Sequence, residues 1–192
     1  SAGPHYVQFI REMSVSCRQK GLVLSVDDYV PAVYSAFYNR KEQGIVADYV
    51  IVMGYDEHFA GGDAGSVASI SYVENGITGT LKVPKEKLIN SVPFYTRVWT
   101  EKDGKTTSKA YGMTAAKKWV DENNVELTWQ DKVGQYYGEI ENENGVQKIW
   151  MEEAKSLGLK KDLVNQYDLA GIACWKLGFE TADIWTIMDE VK

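Results

Sequence analysis

One stretch of this sequence constrains the fold more than any other. Residues 48–55 are mostly apolar or aromatic without period-2 alternation, and the run changes abruptly into Asp56, Glu57 and His58. Such a run is typical of a strand buried on both faces, as in a parallel sheet covered by helices. Ligands bind at the carboxyl ends of such strands, so the polar residues mark a candidate site. The alternative is a buried strand followed by an ordinary polar loop.

Strands and helices alternate over much of the chain. Strands are predicted at residues 22–26, 49–55, 88–95 and 169–175. Helices are predicted at residues 6–17, 70–81, 152–167 and 183–191, whereas residues 31–44 fit a helix or a loop. The first helix ends before Gly21. Its apolar face is predicted to consist of Tyr6, Phe9, Ile10, Met13 and Cys17.

Residues 101–150 break this rhythm and indicate a small α+β insertion. A helix is predicted at residues 113–123 and strands at 126–129, 133–141 and 146–150. A hairpin turn with Asn144-Gly145 at its tip joins the last two strands. The chain is therefore divided into residues 1–100, the insertion 101–150, and residues 151–192.

Three segments, in order, resemble one enzyme family. Met53-x-Tyr55-Asp56 after an apolar strand resembles the sixth barrel strand of the family 18 glycoside hydrolases, the chitinase-like (β/α)8 enzymes. The longer string from Tyr55 to Gly62 is similar to the bacterial branch of spore-germination and cortex-lytic N-acetylglucosaminidases. Residues 87–99 resemble the seventh strand and its exit, and residues 168–178 resemble the eighth strand.

The resemblance implies an α/β fold that is a partial TIM (β/α)8 barrel. The four predicted strands would be strands five to eight, with the insertion between strands seven and eight. The family motif Asp-x-x-Asp-x-Asp-x-Glu, whose Glu is the general acid, is absent from the sequence. Residues 5–13 resemble the helix that follows the motif. We therefore expect the C-terminal half of a barrel, without glycosidase activity of its own.

The resemblance also assigns roles to individual residues. Family 18 enzymes use the 2-acetamido group of the sugar as the nucleophile, an exception to the two-carboxylate scheme. Tyr55 would donate a hydrogen bond to the acetamido oxygen, and Asp56 would bind sugar hydroxyls; these two are the catalytic candidates. Met53 would pack against the acetamido methyl group. Without the resemblance, Met53 is better interpreted as a core residue.

Three further residues are candidates for substrate binding. Trp175 would stack under the sugar ring, while Tyr95 and Arg97 would line the cleft at the exit of the seventh strand. The alternatives are a core position for Trp175 and a solvated or ion-paired surface position for Arg97. Asp27, near the same end of the sheet, is a further hypothesis.

Aromatic residues on the insertion and the two cysteines are less informative. Trp129, Tyr136 and Tyr137 suit either sugar contacts or cross-strand pairing, and pairing is the commoner use. Cys17 and Cys174 are expected to be buried free thiols. Two His and two Cys, widely spaced, do not form a zinc pattern, so neither a metal nor a cofactor is expected.

Composition restricts the partners. The net charge of −6 and the lack of a basic cluster argue against nucleic acid. No apolar run is long enough to span a membrane. The expected partner is a polysaccharide or oligosaccharide containing N-acetylglucosamine, and the resemblance implies a bacterial protein at an extracellular, cell-envelope or spore-associated location.

Three functions compete. The first is part of a hydrolase of peptidoglycan, spore cortex or chitin. The second is a non-catalytic, lectin-like module on a hydrolase scaffold, and the third is a structural fragment without a function of its own. Four parallel strands leave two sheet edges and one sheet face uncovered, so a homodimer is also expected.

Overall fold

The computed structural model describes residues 3–189 and 191. The strands in chain order are β1 Ser25–Tyr29, β2 Tyr49–Met53, β3 Leu88–Pro93, β4 Tyr95–Lys102, β5 Lys105–Gly112, β6 Thr128–Gln130, β7 Gln135–Asn142, β8 Gly145–Met151 and β9 Gly171–Trp175. The α-helices are α1 Gly3–Gln19, α2 Arg40–Val46, α3 Ile70–Thr78, α4 Met113–Glu122, α5 Ala154–Gln166 and α6 Ile184–Met188. Short 3₁₀ helices span Val33–Tyr38 and Lys85–Lys87. None of the helices in this described part is long and apolar enough to cross a membrane.

Four strands form a parallel sheet in the order β1-β2-β3-β9. A helix precedes or follows each strand, so every connection returns to the same end of the sheet, as parallel pairing requires. One face carries Val50, Val52 and Leu88, each 1% exposed or less, in a core closed by α3 and α5. The apolar run predicts burial on both faces of β2, and only this face is fully buried.

The opposite face of the parallel sheet is only partly covered. Strand register places Asp27 beside Ile51, Ile51 beside Ile89, and Ile89 beside Gly171 in one row across the sheet. These side chains are exposed or half-buried, unlike those on the helix side. Strands β1 and β9 are the two edges of the sheet.

The second sheet is antiparallel, with the order β5-β4-β8-β7-β6. It lies between β3 and α5 in the sequence and packs on α4 around a core of its own, formed by Val98, Ala116, Val120, Ile149 and Met151 with Val125. The fold is thus mixed α/β, with one parallel and one antiparallel sheet.

Several sequence predictions are confirmed. The helices α3, α4 and α5, the strand β2, and the β7–β8 hairpin lie where the sequence places them, to within a few residues at each end. The final helix is shorter than the predicted 183–191, ending at Met188. Residue 190 of that prediction lies outside the described residues.

Three predictions are wrong in detail. The first strand is Ser25–Tyr29 rather than residues 22–26, and Leu22 and Val23 are 57% and 70% exposed. The second error is the predicted strand 88–95, which is divided at Phe94 between the two sheets because Tyr95 already begins the unpredicted β4–β5 hairpin.

The third error concerns the buried face of α1, which is formed by Gly3, Val7, Ile10 and Ser14. Small residues here allow close packing: a Cβ on Gly3 would lie 3.2 Å from Phe37 in the first 3₁₀ helix, and the Ser14 hydroxyl donates to the Val46 carbonyl of α2 at 2.6 Å. Phe9 and Met13, which were predicted on this face, are exposed instead.

A buried carboxyl group joins β1 to α2. The Asp28 side chain is fully buried, lies 3.4 Å from the Arg40 guanidinium, and accepts a hydrogen bond from Gln43 at 3.2 Å. Burial raises the pKa of Asp28 to about 6, against the opposing effects of Arg40 and Gln43. The folded-state pKa therefore lies above that of the unfolded chain, near 3.9.

This arrangement predicts a pH-dependent contribution to stability. The protonated Asp28 carboxyl stabilises the fold fully below about pH 4, and the contribution is lost as the pH rises through about 6. Between pH 4 and pH 7 the free energy of unfolding of the wild type should fall by roughly 3 kcal/mol through this group, and Asp28→Asn should not show that fall. Urea unfolding across this range measures the difference. Asp63→Asn, at an exposed loop carboxylate, is the control. An equal change in the pH dependence of the free energy of unfolding in both variants would contradict the assignment.

Candidate active site

A cleft of about 270 Å³ opens at the carboxyl ends of the parallel strands. Register places Tyr29 beside Met53 and Pro93 beside Trp175, so residues that follow neighbouring strands converge at this end of the sheet. The residues that line the cleft are Tyr29, Met53, Tyr55, Asp56, Tyr95 and Trp175. Five of the six predicted site residues thus lie around one cavity.

The chain leaves β2 through a tightly packed glycine. The Gly54 amide donates to the Ser91 carbonyl at 2.9 Å, and a Cβ at this position would lie 2.8 Å from Asn90 Oδ1. The next residue, Tyr55, is half-buried, and burial raises the pKa of its phenol. Tyr55 lines the cleft and its hydroxyl, protonated at neutral pH, can donate a hydrogen bond to a ligand there, while the Ser91 side chain lies within hydrogen-bonding reach of the same hydroxyl.

Asp56 turns the chain away from the strand. Its φ of +60° lies in the left-handed region, which Asp tolerates better than most residues. The Asp56 carboxylate accepts a hydrogen bond from the Tyr95 hydroxyl at 2.6 Å. This bond fixes the position of the carboxylate between β2 and β4.

Tyr95 is almost fully buried at the start of β4. Burial raises the pKa of its phenol, and the hydrogen bond to Asp56 and the charge on that carboxylate raise it further. The ring packs edge-on against Tyr55, with 6.2 Å between the ring centroids. Tyr95 therefore serves as the donor that holds Asp56 and as a packing partner for Tyr55.

Trp175 lies at the end of β9 with 55% of its surface exposed, which excludes the core position considered from the sequence. Its carbonyl oxygen accepts a hydrogen bond from the Phe94 amide at 2.8 Å, and the peptide bond to Lys176 is cis. Met53 is half-buried and lines the same cleft. An exposed indole and a thioether give the cleft its apolar surface.

Arg97 does not line the cleft. It lies two residues beyond Tyr95 on β4, and its Nη1 donates to the Ser108 hydroxyl at 3.2 Å. Its positive charge partly offsets the rise in the pKa of Tyr95. A role for Arg97 in substrate binding stays a prediction.

Tyr29 is the cleft residue that the sequence did not single out. With β1 predicted three residues too early, Tyr29 fell outside the strand, although its place beside Met53 follows from the observed register. Asp27 lies on the same face of β1, one row below Tyr29. Burial raises the pKa of Asp27, and its charge contributes to the rise at Tyr55.

The aromatic residues of the insertion pair across strands and do not reach the cleft. Trp129 contacts Tyr136 edge-on at 4.9 Å between centroids, and Tyr137 contacts Trp150 at 4.8 Å. The Lys155 ammonium lies 3.5 Å from the centre of the Trp129 ring. Of the two interpretations open from the sequence, the geometry is that of cross-strand pairs.

The cleft offers phenol donors, a carboxylate acceptor and an exposed indole. This combination suits a neutral ligand that carries hydroxyl or amide groups on an apolar body. Within the described ranges, no three His, Cys, Asp or Glu side chains are grouped so that they could hold a metal ion.

A family model for the glycosyl hydrolases family 18 matches residues 2–180. The sequence is 28% identical over 190 residues to an uncharacterized glycosylase, YvbX, of Bacillus subtilis (strain 168), covering 94% of this chain and 54% of the relative. It is 26% identical over 196 residues to the cortical fragment-lytic enzyme of the same organism, covering 96% of this chain and 45% of that relative.

The fold is similar to that of a chitinase from Chromobacterium violaceum ATCC 12472. The TM-score is 0.91 at 23% identity, over 98% of this chain and 61% of that chain. The chain spans about half the length of the curated relatives it matches. Because the family model covers nearly all of the sequence and the fold agrees, this chain belongs to glycoside hydrolase family 18.

Proposed function

We propose that the chain is the C-terminal part of a glycoside hydrolase that cleaves polysaccharides containing N-acetylglucosamine by substrate-assisted catalysis. The observation that carries the proposal is the single cleft lined by Met53, Tyr55, Asp56, Tyr95 and Trp175. Sequence resemblance selects these residues independently of the geometry, and they converge at the end of the sheet where ligands bind in α/β folds.

In the proposed mechanism the acetamido oxygen attacks the anomeric carbon of the same sugar while the bond from that carbon to the leaving glycosidic oxygen breaks. A general acid, which this sequence lacks, would protonate the leaving oxygen, and water would then open the cyclic intermediate. The Tyr55 hydroxyl donates to the acetamido oxygen and aligns it with the anomeric carbon. Asp56, held by Tyr95, accepts hydrogen bonds from sugar hydroxyls. Trp175 stacks on the apolar face of the ring, and Met53 contacts the acetamido methyl group.

The relatives suggest which polymer is cleaved. Similarity to a cortical fragment-lytic enzyme supports peptidoglycan of the spore cortex as the substrate, and similarity in fold to a chitinase keeps chitin as the alternative. The same relatives support a bacterial protein at the spore, the cell envelope or the cell exterior.

We propose that the parallel sheet forms strands five to eight of a (β/α)8 barrel. Under this proposal β1, β2, β3 and β9 are consecutive barrel strands, and the partly covered sheet face with Asp27, Ile51 and Ile89 points to the barrel interior. The antiparallel sheet is then the insertion between strands seven and eight, and residues 1–100, 101–150 and 151–192 are the proposed units.

A lectin-like module is the second candidate, because the sequence contains no Asp-x-x-Asp-x-Asp-x-Glu motif. The amino-acid sequence encoded upstream of Gly3 distinguishes the hydrolase from the binding module. An intact motif there supports the hydrolase, and a barrel with that Glu replaced supports the binding module.

Binding of an N-acetylglucosamine trimer tests what both candidates share. We expect Trp175→Ala to weaken binding five- to tenfold, a loss of roughly 1 kcal/mol for a stacking contact. Isothermal titration measures the affinity. Trp129→Ala is the matched control, because the Trp129 ring is covered by Lys155 and lies outside the cleft. Equal affinity of wild type and Trp175→Ala would contradict the site.

We also propose that the chain self-associates. The free edges at β1 and β9 and the partly covered sheet face are surfaces that pair or pack with another chain. Sedimentation equilibrium at micromolar concentration should show a dimer. A single species at the monomer mass of 21.6 kDa would contradict this prediction.

A further inference from the structure

The segment between β2 and α3, residues 54–69, carries two of the cleft residues and is called here the 54–69 loop. It closes on itself just beyond Asp56. The Glu57 amide donates to the Val67 carbonyl at 2.9 Å, and the Ser69 amide donates to Glu57 Oε2 at 2.8 Å. Val67 is 1% exposed, so the base of the loop is part of the protein interior. The position of Asp56 is thus tied to the position of this base.

The antiparallel sheet holds the base of the 54–69 loop. The Trp99 indole, fully buried on β4, donates to the Gly65 carbonyl at 2.8 Å. Gly65 itself packs closely against the His58 ring, because a Cβ at this position would lie 2.5 Å from that ring. The neighbouring Ser66 hydroxyl accepts from the Ala68 amide at 3.0 Å and donates to Gln135 Oε1 on β7.

Behind Gln135 lies a buried chain of hydrogen bonds that ends on α5. Gln135 Nε2 donates to Glu152 Oε2 at 3.0 Å. Glu152 Oε1 accepts from the Ser156 hydroxyl and from the Lys160 ammonium, each at 2.6 Å. Gln135, Glu152, Ser156 and Lys160 are each 1% exposed or less. We call Ser66, Gln135, Glu152 and Lys160 the buried relay.

The order of donors and acceptors permits only one orientation of the Gln135 amide. Burial raises the pKa of Glu152, and the Lys160 ammonium at 2.6 Å opposes that rise. Paired with this ammonium the carboxylate accepts hydrogen bonds only, so the amide nitrogen faces Glu152 and the amide oxygen faces Ser66. A reversed amide would place two acceptors together and leave a buried donor without a partner. The Lys160 charge therefore fixes Glu152, which fixes Gln135, which fixes Ser66.

We propose that Gln135 is a positioning residue, which through Ser66 sets the place of the 54–69 loop and so of Asp56 in the cleft. This inference rests on the proposed function, since the property it controls is sugar binding by the cleft. Gln135 itself does not line the cleft. The antiparallel sheet then helps to hold Asp56 in its position in the cleft.

The test compares two glutamines of the same sheet. Gln135→Met keeps the length of the side chain and removes the amide that joins Ser66 to Glu152. Gln147→Met is the control, because the Gln147 amide bonds to Thr100 and Asn142 and to no residue of the 54–69 loop. We expect Gln135→Met to weaken binding of an N-acetylglucosamine trimer at least fivefold, and Gln147→Met to change it less than twofold.

Hydrogen exchange of individual amides gives a second readout that needs no ligand. The Glu57 and Ser69 amides should exchange at least tenfold faster in Gln135→Met, while the β7–β8 amides keep their protection. Ser66→Ala removes the same link from the loop side, together with the bond from the Ala68 amide, and leaves Glu152 and Lys160 untouched, so it should reproduce both effects. It also decides the matter if Gln135→Met does not fold.

Two results would overturn the proposal: unchanged loop exchange in both Gln135→Met and Ser66→Ala, or equal weakening of binding by Gln147→Met. If the wild-type chain binds no sugar, the proposed function fails instead. The exchange data then decide alone whether Gln135 places the loop.

Discussion

Replacing Tyr55 by phenylalanine is expected to lower turnover by the full-length gene product roughly 30- to 1000-fold, with little change in substrate affinity. The structural reason is that the substitution removes one group only. The Tyr55 ring packs edge-on against Tyr95, and a phenylalanine ring keeps that contact. What is lost is the hydroxyl, which in the proposed mechanism donates to the acetamido oxygen and aligns it with the anomeric carbon.

The size of the effect follows from the chemistry of such donors. Removing one donor that acts on the reacting atoms costs about 2–4 kcal/mol in the transition state, by analogy with the donors of oxyanion holes. The alignment that Tyr55 provides is needed for the attack and less for binding, so the loss appears in kcat and not in KM. Steady-state kinetics with N-acetylglucosamine oligomers measure kcat and KM, on a protein that carries the Asp-x-x-Asp-x-Asp-x-Glu motif.

Tyr49→Phe is the matched control for this experiment. Tyr49 lies at the opposite end of β2, is partly exposed, and does not line the cleft. It should leave kcat unchanged. A Tyr55→Phe protein with full turnover would remove Tyr55 from the mechanism, and a rise in KM alone would make it a binding residue only.

Most of the parallel sheet could be predicted because its strands carry strong local signals. The apolar run that forms β2 has no alternation, and both of its flanks change character abruptly. β1 lacks such a signal. Its two inward residues are Val26 and Asp28, and a fully buried carboxyl group is invisible to any hydrophobic pattern. Leu22 and Val23 are apolar although they are exposed, so the strand was predicted to begin at residue 22, three residues before its observed start.

The β4–β5 hairpin was missed although the sequence holds a clue. Asp103 and Gly104 both have positive φ, at 51° and 71°, as a two-residue hairpin turn requires. Asp-Gly is a strong signal for such a turn. The strand that follows, β5, is polar and largely exposed because it lies at the edge of its sheet, so its composition gave no support.

The cleft illustrates what local patterns can and cannot supply. Family resemblance selected Met53, Tyr55, Asp56, Tyr95 and Trp175, and the fold brings them together. The bond from Tyr95 to Asp56 joins residues 39 positions apart. No spacing rule predicts it, since it depends on how β4 leaves the parallel sheet. The buried relay is likewise formed by residues distant in sequence, whose polar side chains would each be expected at the surface.

The 192-residue chain alone is expected to show no glycosidase turnover. Cleavage needs a group that protonates the leaving oxygen, and such a general acid commonly contributes about 10²–10⁴-fold to the rate. The family supplies it from the Glu of the Asp-x-x-Asp-x-Asp-x-Glu motif, which this sequence lacks. Asp56 is already engaged by the Tyr95 hydroxyl. Asp27, on the same face as the cleft residues and with its pKa raised by burial, is the one carboxyl group that warrants a separate check.

Chromogenic N-acetylglucosamine oligomers and muramyl-lactam cortex fragments are the substrates for this measurement. Wild type, Tyr55→Phe and Asp27→Asn should be indistinguishable from buffer, while the wild type still binds the trimer. Turnover that disappears in Tyr55→Phe would show that an acid is present within the chain. Turnover that also disappears in Asp27→Asn, with sugar binding kept, would identify that acid as Asp27. Glycosidase activity would then reside within this chain, and it would not require the Asp-x-x-Asp-x-Asp-x-Glu motif.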